Sequence, residues 1–109
     1  ILTLSLHTKG EEIYYDFYNK NKKRDKKIAN LFAHNLKYKI VSTEKNSAGG
    51  YKDWCIEKLG ITALTIECGS DKLSHPLSRN IEVLPLLENK FKDLFRLINK
   101  SVVIINGNK

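Results

Sequence analysis

The order of apolar patterns along the chain predicts an α/β fold. Three observations carry that prediction. A strand-like stretch, Ile1 to Leu6, opens the chain; an amphipathic helical pattern fills Lys22 to Leu36; and a short helical segment, Tyr51 to about Leu59, leads straight into a second β-rich run, Ile61 to Glu67. With 109 residues there is room for one domain or part of one. A composition that is 41% hydrophobic and 28% charged forms a core rather than a disordered chain. No apolar run approaches the roughly 20 residues a membrane helix needs. There is no signal-peptide pattern and no initiator Met. Opening directly on a strand, the chain reads as a cut through a larger protein, and the sequence assigns no localisation.

In the first stretch apolar residues alternate with Thr3 and Ser5, and His7 stands at the C-terminal end. Ligands of α/β sheets gather beyond the carboxyl ends of strands. His7 is therefore a candidate binding residue, with a strand-end structural histidine as the alternative. A turn at Gly10 precedes Glu11 and Glu12 and then Tyr14, Tyr15, Phe17 and Tyr18. These rings cover the sheet and line a nearby cleft, or simply pack.

From Lys22 to Leu36, the residues Ile28, Leu31, Phe32 and Leu36 fall on one helical face, with His34 off that stripe and facing solvent. Tyr38 to Ser42 reads as a short strand. Thr43 to Gly50 (TEKNSAGG) is a polar loop whose Gly pair suits close approach of backbone to a ligand. The helix that follows stops at Gly60, and Trp54 is expected to be buried where loop meets helix. The next strand ends in a carboxylate, Glu67, ahead of Cys68 and Gly69. A buried acid is costly unless it is solvated, paired or in use. A loop with Pro76, an apolar stretch at Ile81 to Leu84, and a helix opened by Pro85 complete the chain. The stripe Leu87, Phe91, Leu94, Phe95 and Ile98 carries this helix to about Asn99, leaving Val102 to Ile105 as a strand or tail in need of cover.

The net charge of +7, from 19 Lys and Arg against 12 Asp and Glu, favours polyanionic partners. Much of it sits in Lys20 to Lys27. No zinc-finger, RNA-recognition or Gly-rich nucleic-acid signature accompanies the run, so no specific nucleic acid is expected. It reads as a solvated face; the competing reading is a basic module for anionic polymer using Lys22, Lys23, Arg24, Lys26 and Lys27. Two cysteines, Cys55 and Cys68, make neither a disulfide framework nor a CxxC pair and read as small buried hydrophobes.

Taken together, His7, SAGGYKDW and TIECG resemble the C-terminal part of the catalytic domain of zinc metallocarboxypeptidases related to carboxypeptidase A. In that family a strand ends in a His that is the third zinc ligand, and a later loop carries S/A-G-G-x-x-D-W. Thirteen residues beyond that Trp stands the Glu that serves as general base and acid. Trp54 and Glu67 here are thirteen residues apart. Within the family, HTKGEEIYY and GGYKDW are most similar to bacterial γ-D-glutamyl-diamino acid peptidases, which cut peptidoglycan stem peptides between D-Glu and meso-diaminopimelate.

The resemblance implies a mixed-sheet zinc carboxypeptidase-like (phosphorylase/hydrolase-like) fold, of which residues 1–109 are the C-terminal portion. It implies zinc as cofactor and a cell-wall peptide as substrate, with a general carboxypeptidase for acidic C-terminal residues as the alternative. His7 takes the ligand role and Glu67 the proton-shuttle role. Gly49 and Gly50 approach the substrate. Lys52 falls at the base of the side-chain pocket, where it attracts a carboxylate or else snorkels to solvent; Asp53 orients a neighbour or caps its helix. Lys45 stands where the family carries a mobile Tyr. The HxxE motif that supplies the first two zinc ligands, and the upstream Arg that binds the substrate carboxylate, are absent from these 109 residues. The expectation is a piece that is inactive and metal-poor alone, within an active larger protein, and that self-associates through uncovered sheet edges.

Overall fold

The computed structural model describes residues 1–8, 10–18, 20–42, 50–72, 88 and 92–107. Four strands, β1 (Leu2–Thr8), β2 (Glu12–Tyr14), β3 (Lys39–Val41) and β4 (Thr62–Cys68), form one sheet in the order β1-β4-β2-β3. β1 runs parallel to β4, β4 antiparallel to β2, and β2 parallel to β3. Among the described residues the helices that accompany them are α1 (Lys22–Leu36), α2 (Tyr51–Trp54), which continues as a π-helical turn at Cys55–Leu59, and α3 (Leu94–Gly107). The result is a small mixed α/β domain with a mixed sheet.

Alternation along the strands assigns the two faces. Leu64, Ile66 and Ile13 turn toward α1, where they are buried with Ile28, Ala29, Phe32, Ala33 and Leu36 of its apolar stripe and with Leu97 of α3. Among the described residues the opposite face is covered only in part: Cys55 and Ile56 of the π turn, with Phe17, bury Ala63 near the start of β4. α1 ends at Leu36 because Lys37 adopts a left-handed conformation (φ 58°). Gly60 ends the π turn the same way, as its position in the sequence predicts.

The acidic and basic residues at the start of α1 are partly internal. Asp25 is fully buried; Thr62 Oγ1 (2.8 Å) and Arg24 Nε (2.9 Å) both donate to its Oδ1, and Arg24 also reaches the Gly60 carbonyl (3.1 Å). Its Oδ2 has no partner among the described residues, and burial pushes its pKa up. Lys22 pairs with buried Asp16 at 3.5 Å. Lys22 and Arg24 are thus engaged within the fold, while Lys23, Lys26 and Lys27 remain exposed.

Three sequence expectations are corrected. Val102 to Ile105 is neither strand nor tail: α3 continues through it to Gly107, with Ser101 Oγ donating back to the Leu97 carbonyl (2.8 Å) and Ile104 and Ile105 packing on the core. Trp54 is 53% exposed, because turning Cys55 and Ile56 inward leaves it on the outer side. Glu12 to Tyr14, read as part of an aromatic cover, is a central strand. The stretches around Pro76, Ile81 to Leu84 and Pro85 lie outside the described residues. Among the described residues, no helix is long and apolar enough to cross a membrane.

Candidate functional site

The strand registers line up four chemically distinct side chains. His7 on β1 is the register partner of Glu67 on β4, Glu67 is the partner of Glu12 on β2, and Glu12 is the partner of Lys39 on β3. Their neighbours Ile66 and Ile13 are fully buried toward α1. By alternation the row His7–Glu67–Glu12–Lys39 lies on the other face, four residues along β4 from the cover that the π turn gives Ala63. His7 is exposed and Glu67 half-buried. The sequence-predicted pair, His7 and Glu67, is therefore side by side on adjacent parallel strands.

Hydrogen bonds organise the far side of the row. Tyr14 Oη donates to Glu12 Oε2 (2.7 Å), and Lys39 Nζ lies 3.0 Å from Glu12 Oε1. The Tyr14 hydrogen bond, then that of Lys39, holds the Glu12 carboxyl below its ordinary range. The Tyr14 phenol is raised in return, first by its bond to Glu12, then by burial and by the charges of Glu12, Glu67 and Asp71. Glu67 thus lies within electrostatic reach of Tyr14. Burial, helped by the Glu67 charge, pushes the Cys68 thiol up to about 11, so it stays protonated at neutral pH and is no nucleophile. Cys55 is fully buried; both cysteines are free, as read from the sequence.

Backbone contacts hold together the ends of the two strands that carry His7 and Glu67. The Gly10 N–H donates to the Gly69 carbonyl (2.7 Å), and the Gly69 N–H donates to Tyr38 Oη (3.2 Å). Gly69 sits at φ 85°, a conformation glycine adopts without strain.

Lys52 is 8% exposed, and its Nζ donates to Asp53 Oδ1 and to the Asp16 carbonyl, each at 2.5 Å. Of the two readings of Lys52, a snorkelling side chain is not what the structure shows: Asp53 supplies a buried counter-charge that makes an inward path favourable. Asp53 accordingly orients its neighbour instead of capping the helix, whose N-cap is Gly50. Among the described residues, a side chain at Gly50 would meet nothing within 4 Å. Lys45 and Gly49 lie outside the described residues.

Sequence reading did not single out Lys39, named Glu12 only as an acid after the turn, and read Tyr14 only as one of four rings over the sheet or a cleft. The available signal was the Glu-x-Tyr spacing, which places acid and phenol on one strand face once the segment is known to be a strand. Among the described residues no group of three or more His, Cys, Asp or Glu side chains could hold a metal. His7 and Glu67 fit one ligand and one adjacent carboxylate. Catalytic zinc takes three protein ligands, so the described residues do not complete a zinc site by themselves.

No family model matches the chain. It is 32% identical over 75 residues to gamma-D-glutamyl-L-diamino acid endopeptidase 1 of Lysinibacillus sphaericus. The aligned stretch is 69% of this chain and 19% of that enzyme, so the chain spans about a fifth of the length of the curated relative it matches. That relative is named an endopeptidase, which gives no support to a carboxypeptidase type. What the similarity supports is a partial, distant relationship to a peptidase.

Proposed function

We propose that this chain is the C-terminal part of the catalytic domain of a zinc-dependent peptidase with a carboxypeptidase-like fold, and that the complete protein hydrolyses the bond between γ-D-Glu and diaminopimelate in peptidoglycan stem peptides. The observation that supports this reading best is the in-register placement of His7 beside Glu67 on the open face of the sheet. Neighbouring strands lie about 4.8 Å apart, so an imidazole and a carboxylate can address one small volume.

In this reading Glu67 takes the proton of the attacking water and returns it to the leaving amine. Its half-buried position strengthens its interaction with that water relative to bulk solvent. His7 contributes one ligand to the metal. A bound zinc ion would lower the pKa of the water and polarise the scissile carbonyl. The remaining ligands come from residues other than those described, which is why the isolated chain is expected to be inactive. Gly50 brings its backbone to the substrate, with Gly49 and Lys45 preceding it in sequence, and Lys52 forms pocket wall with its charge answered by Asp53.

The test is Glu67→Gln in the complete protein. Turnover is expected to fall by about 10²–10⁴-fold, the usual worth of a general base, while zinc content stays near one ion per chain, as a single three-ligand site requires. A complete protein that binds no zinc and cleaves no such peptide overturns the reading.

A further inference from the structure

The start of α1 gathers cations where helix stability would place acids. Lys22, Lys23, Arg24, Lys26 and Lys27 all stand in its first two turns, at the end where the helix dipole disfavours positive charge. Lys23 has like charges three and four residues on, at Lys26 and Lys27, spacings that destabilise a helix. From 20 to 37 the only acid is Asp25, and it is fully buried. Asp25 engages Arg24, and buried Asp16 engages Lys22. Lys23, Lys26 and Lys27 are exposed and make no ion pair among the described residues. With exposed Asn30 and His34 they form one stripe, about 100° wide, on the side of α1 opposite Ile28, Phe32 and Leu36. Lys37 prolongs the stripe, which runs about 20 Å from end to end.

We propose that this stripe docks a linear, base-free polymer of phosphodiesters, of which poly(glycerol phosphate) is the simplest. Lysine ammonium groups are compact point charges, suited to phosphate rather than to bidentate reading of a planar group. Each turn of the stripe offers an N–H donor, from Lys23 through Lys26 and Lys27 to Asn30, His34 and Lys37, about 5–6 Å apart. A single flexible chain can lay one phosphate after another along them. What the stripe lacks decides against nucleic acid. No aromatic ring is exposed between Lys23 and Lys37, so bases find no stacking platform. Arg24 is held by Asp25 and the Gly60 carbonyl, so the commonest reader of a base edge is already engaged. A phosphate polymer needs neither. Binding it relieves the repulsion among the lysines and releases the polymer's condensed counterions. α1 packs on the face of the sheet away from His7 and Glu67, so a polymer held there leaves that row open. The inference does not depend on the peptidase reading, because it uses none of the residues assigned to the chemistry.

The experiment measures binding of the complete protein to synthetic poly(glycerol phosphate) by calorimetry across a salt series. Binding is expected at about 50 mM salt and should weaken steeply by about 200 mM. The triple variant Lys23→Gln, Lys26→Gln, Lys27→Gln is expected to bind about tenfold or more weakly. Its plot of log K against log salt should flatten by about 2, at roughly 0.7 per lost phosphate contact. Its thermal melt should equal or exceed that of the unaltered protein, because neighbouring like charges are removed from the helix. A control triple, Lys58→Gln, Lys72→Gln and Lys92→Gln, removes the same net charge from exposed lysines off the stripe and should stay within about twofold. No binding at low salt overturns the inference, and so does equal weakening by both triples, which assigns the effect to net charge. A DNA strand of equal charge that binds more than about tenfold tighter than the polymer also overturns it, in favour of nucleic acid. Peptide cleavage is measured separately, so the loss of the peptidase reading leaves this result standing.

Discussion

Glu12 and Asp25 are acids drawn into the fold and pushed in opposite directions. The Glu12 carboxyl is lowered by Tyr14 and Lys39 from an ordinary value of 4.5. Its contribution to stability is therefore complete above that value and lost as pH falls through the lower folded one. Glu12→Gln should cost up to about 1 kcal/mol at pH 7, a difference that closes as pH falls through the lowered folded value, as paired urea melts would read. Asp25 behaves in reverse. Burial raises it from 3.8, so the folded state prefers the neutral carboxyl, and the cost of charging it is absent in acid and grows as pH rises through the raised folded value. Asn at this position keeps an acceptor for Thr62 Oγ1 and carries no charge. Asp25→Asn should accordingly gain stability relative to the natural chain on going from about pH 4 to pH 7; an unchanged difference between the two melts would reject the account. Glu67 differs from both acids. Among the described residues its carboxylate has no hydrogen bond or ion pair, only the electrostatic reach of Tyr14 and Cys68, which suits a group kept available for another partner.

The helical turn at Tyr51–Leu59 and the strand ends around Gly69 are where single changes should matter most for folding. Lys52→Met leaves the Asp53 carboxylate buried without its cation, and breaking such a pair typically costs about 3–5 kcal/mol. A loss of that size in a denaturant melt marks Lys52 as part of the architecture; an unchanged melt with a raised KM in the complete protein would return it to the substrate. Gly69→Ala should cost about 1–2 kcal/mol, since φ 85° disfavours a Cβ. The long elements were legible in sequence: the 3.6-residue stripe of α1 and the β-branched run of β4 bury apolar surface, and β1 shows its alternation although none of its residues is fully buried. Glu67 and His7 became candidates through the family resemblance, and no local pattern showed that their strands would pair. β2 was not legible, because three residues, Glu12 to Tyr14, cannot show a period and its pairing is set by β4, more than fifty residues later. Trp54 is left outside because its neighbours Lys52, Asp53, Cys55 and Ile56 take the inward positions, an outcome no local pattern encodes. The Glu12–Lys39 pair exists only through the sheet order, and no local pattern encodes that order.

On the scale of the whole molecule, the sheet is unevenly finished. β1 has a strand neighbour on one side only among the described residues, and Ile1 (84%) and Leu6 (52%) are exposed on it. An edge with unpaired backbone groups and apolar side chains pairs readily with another chain. Sedimentation velocity on the isolated chain should show concentration-dependent association, reduced by Leu6→Lys; a monomer at all concentrations would reject this. The parallel pairing of β1 with β4 has another consequence, in time. His7 and Glu67 meet across sixty residues of chain, and α1, β2, β3 and α2 all lie within that span. A contact between such distant positions bears its loop entropy before any pairing compensates it. In refolding from denaturant, amide protection should appear in α1 well before it appears in β1, as quenched-flow hydrogen exchange would read residue by residue. A nascent or refolding chain thus spends an interval with helix in place and His7 still far from Glu67, and the two side chains come together only when that last, longest loop closes.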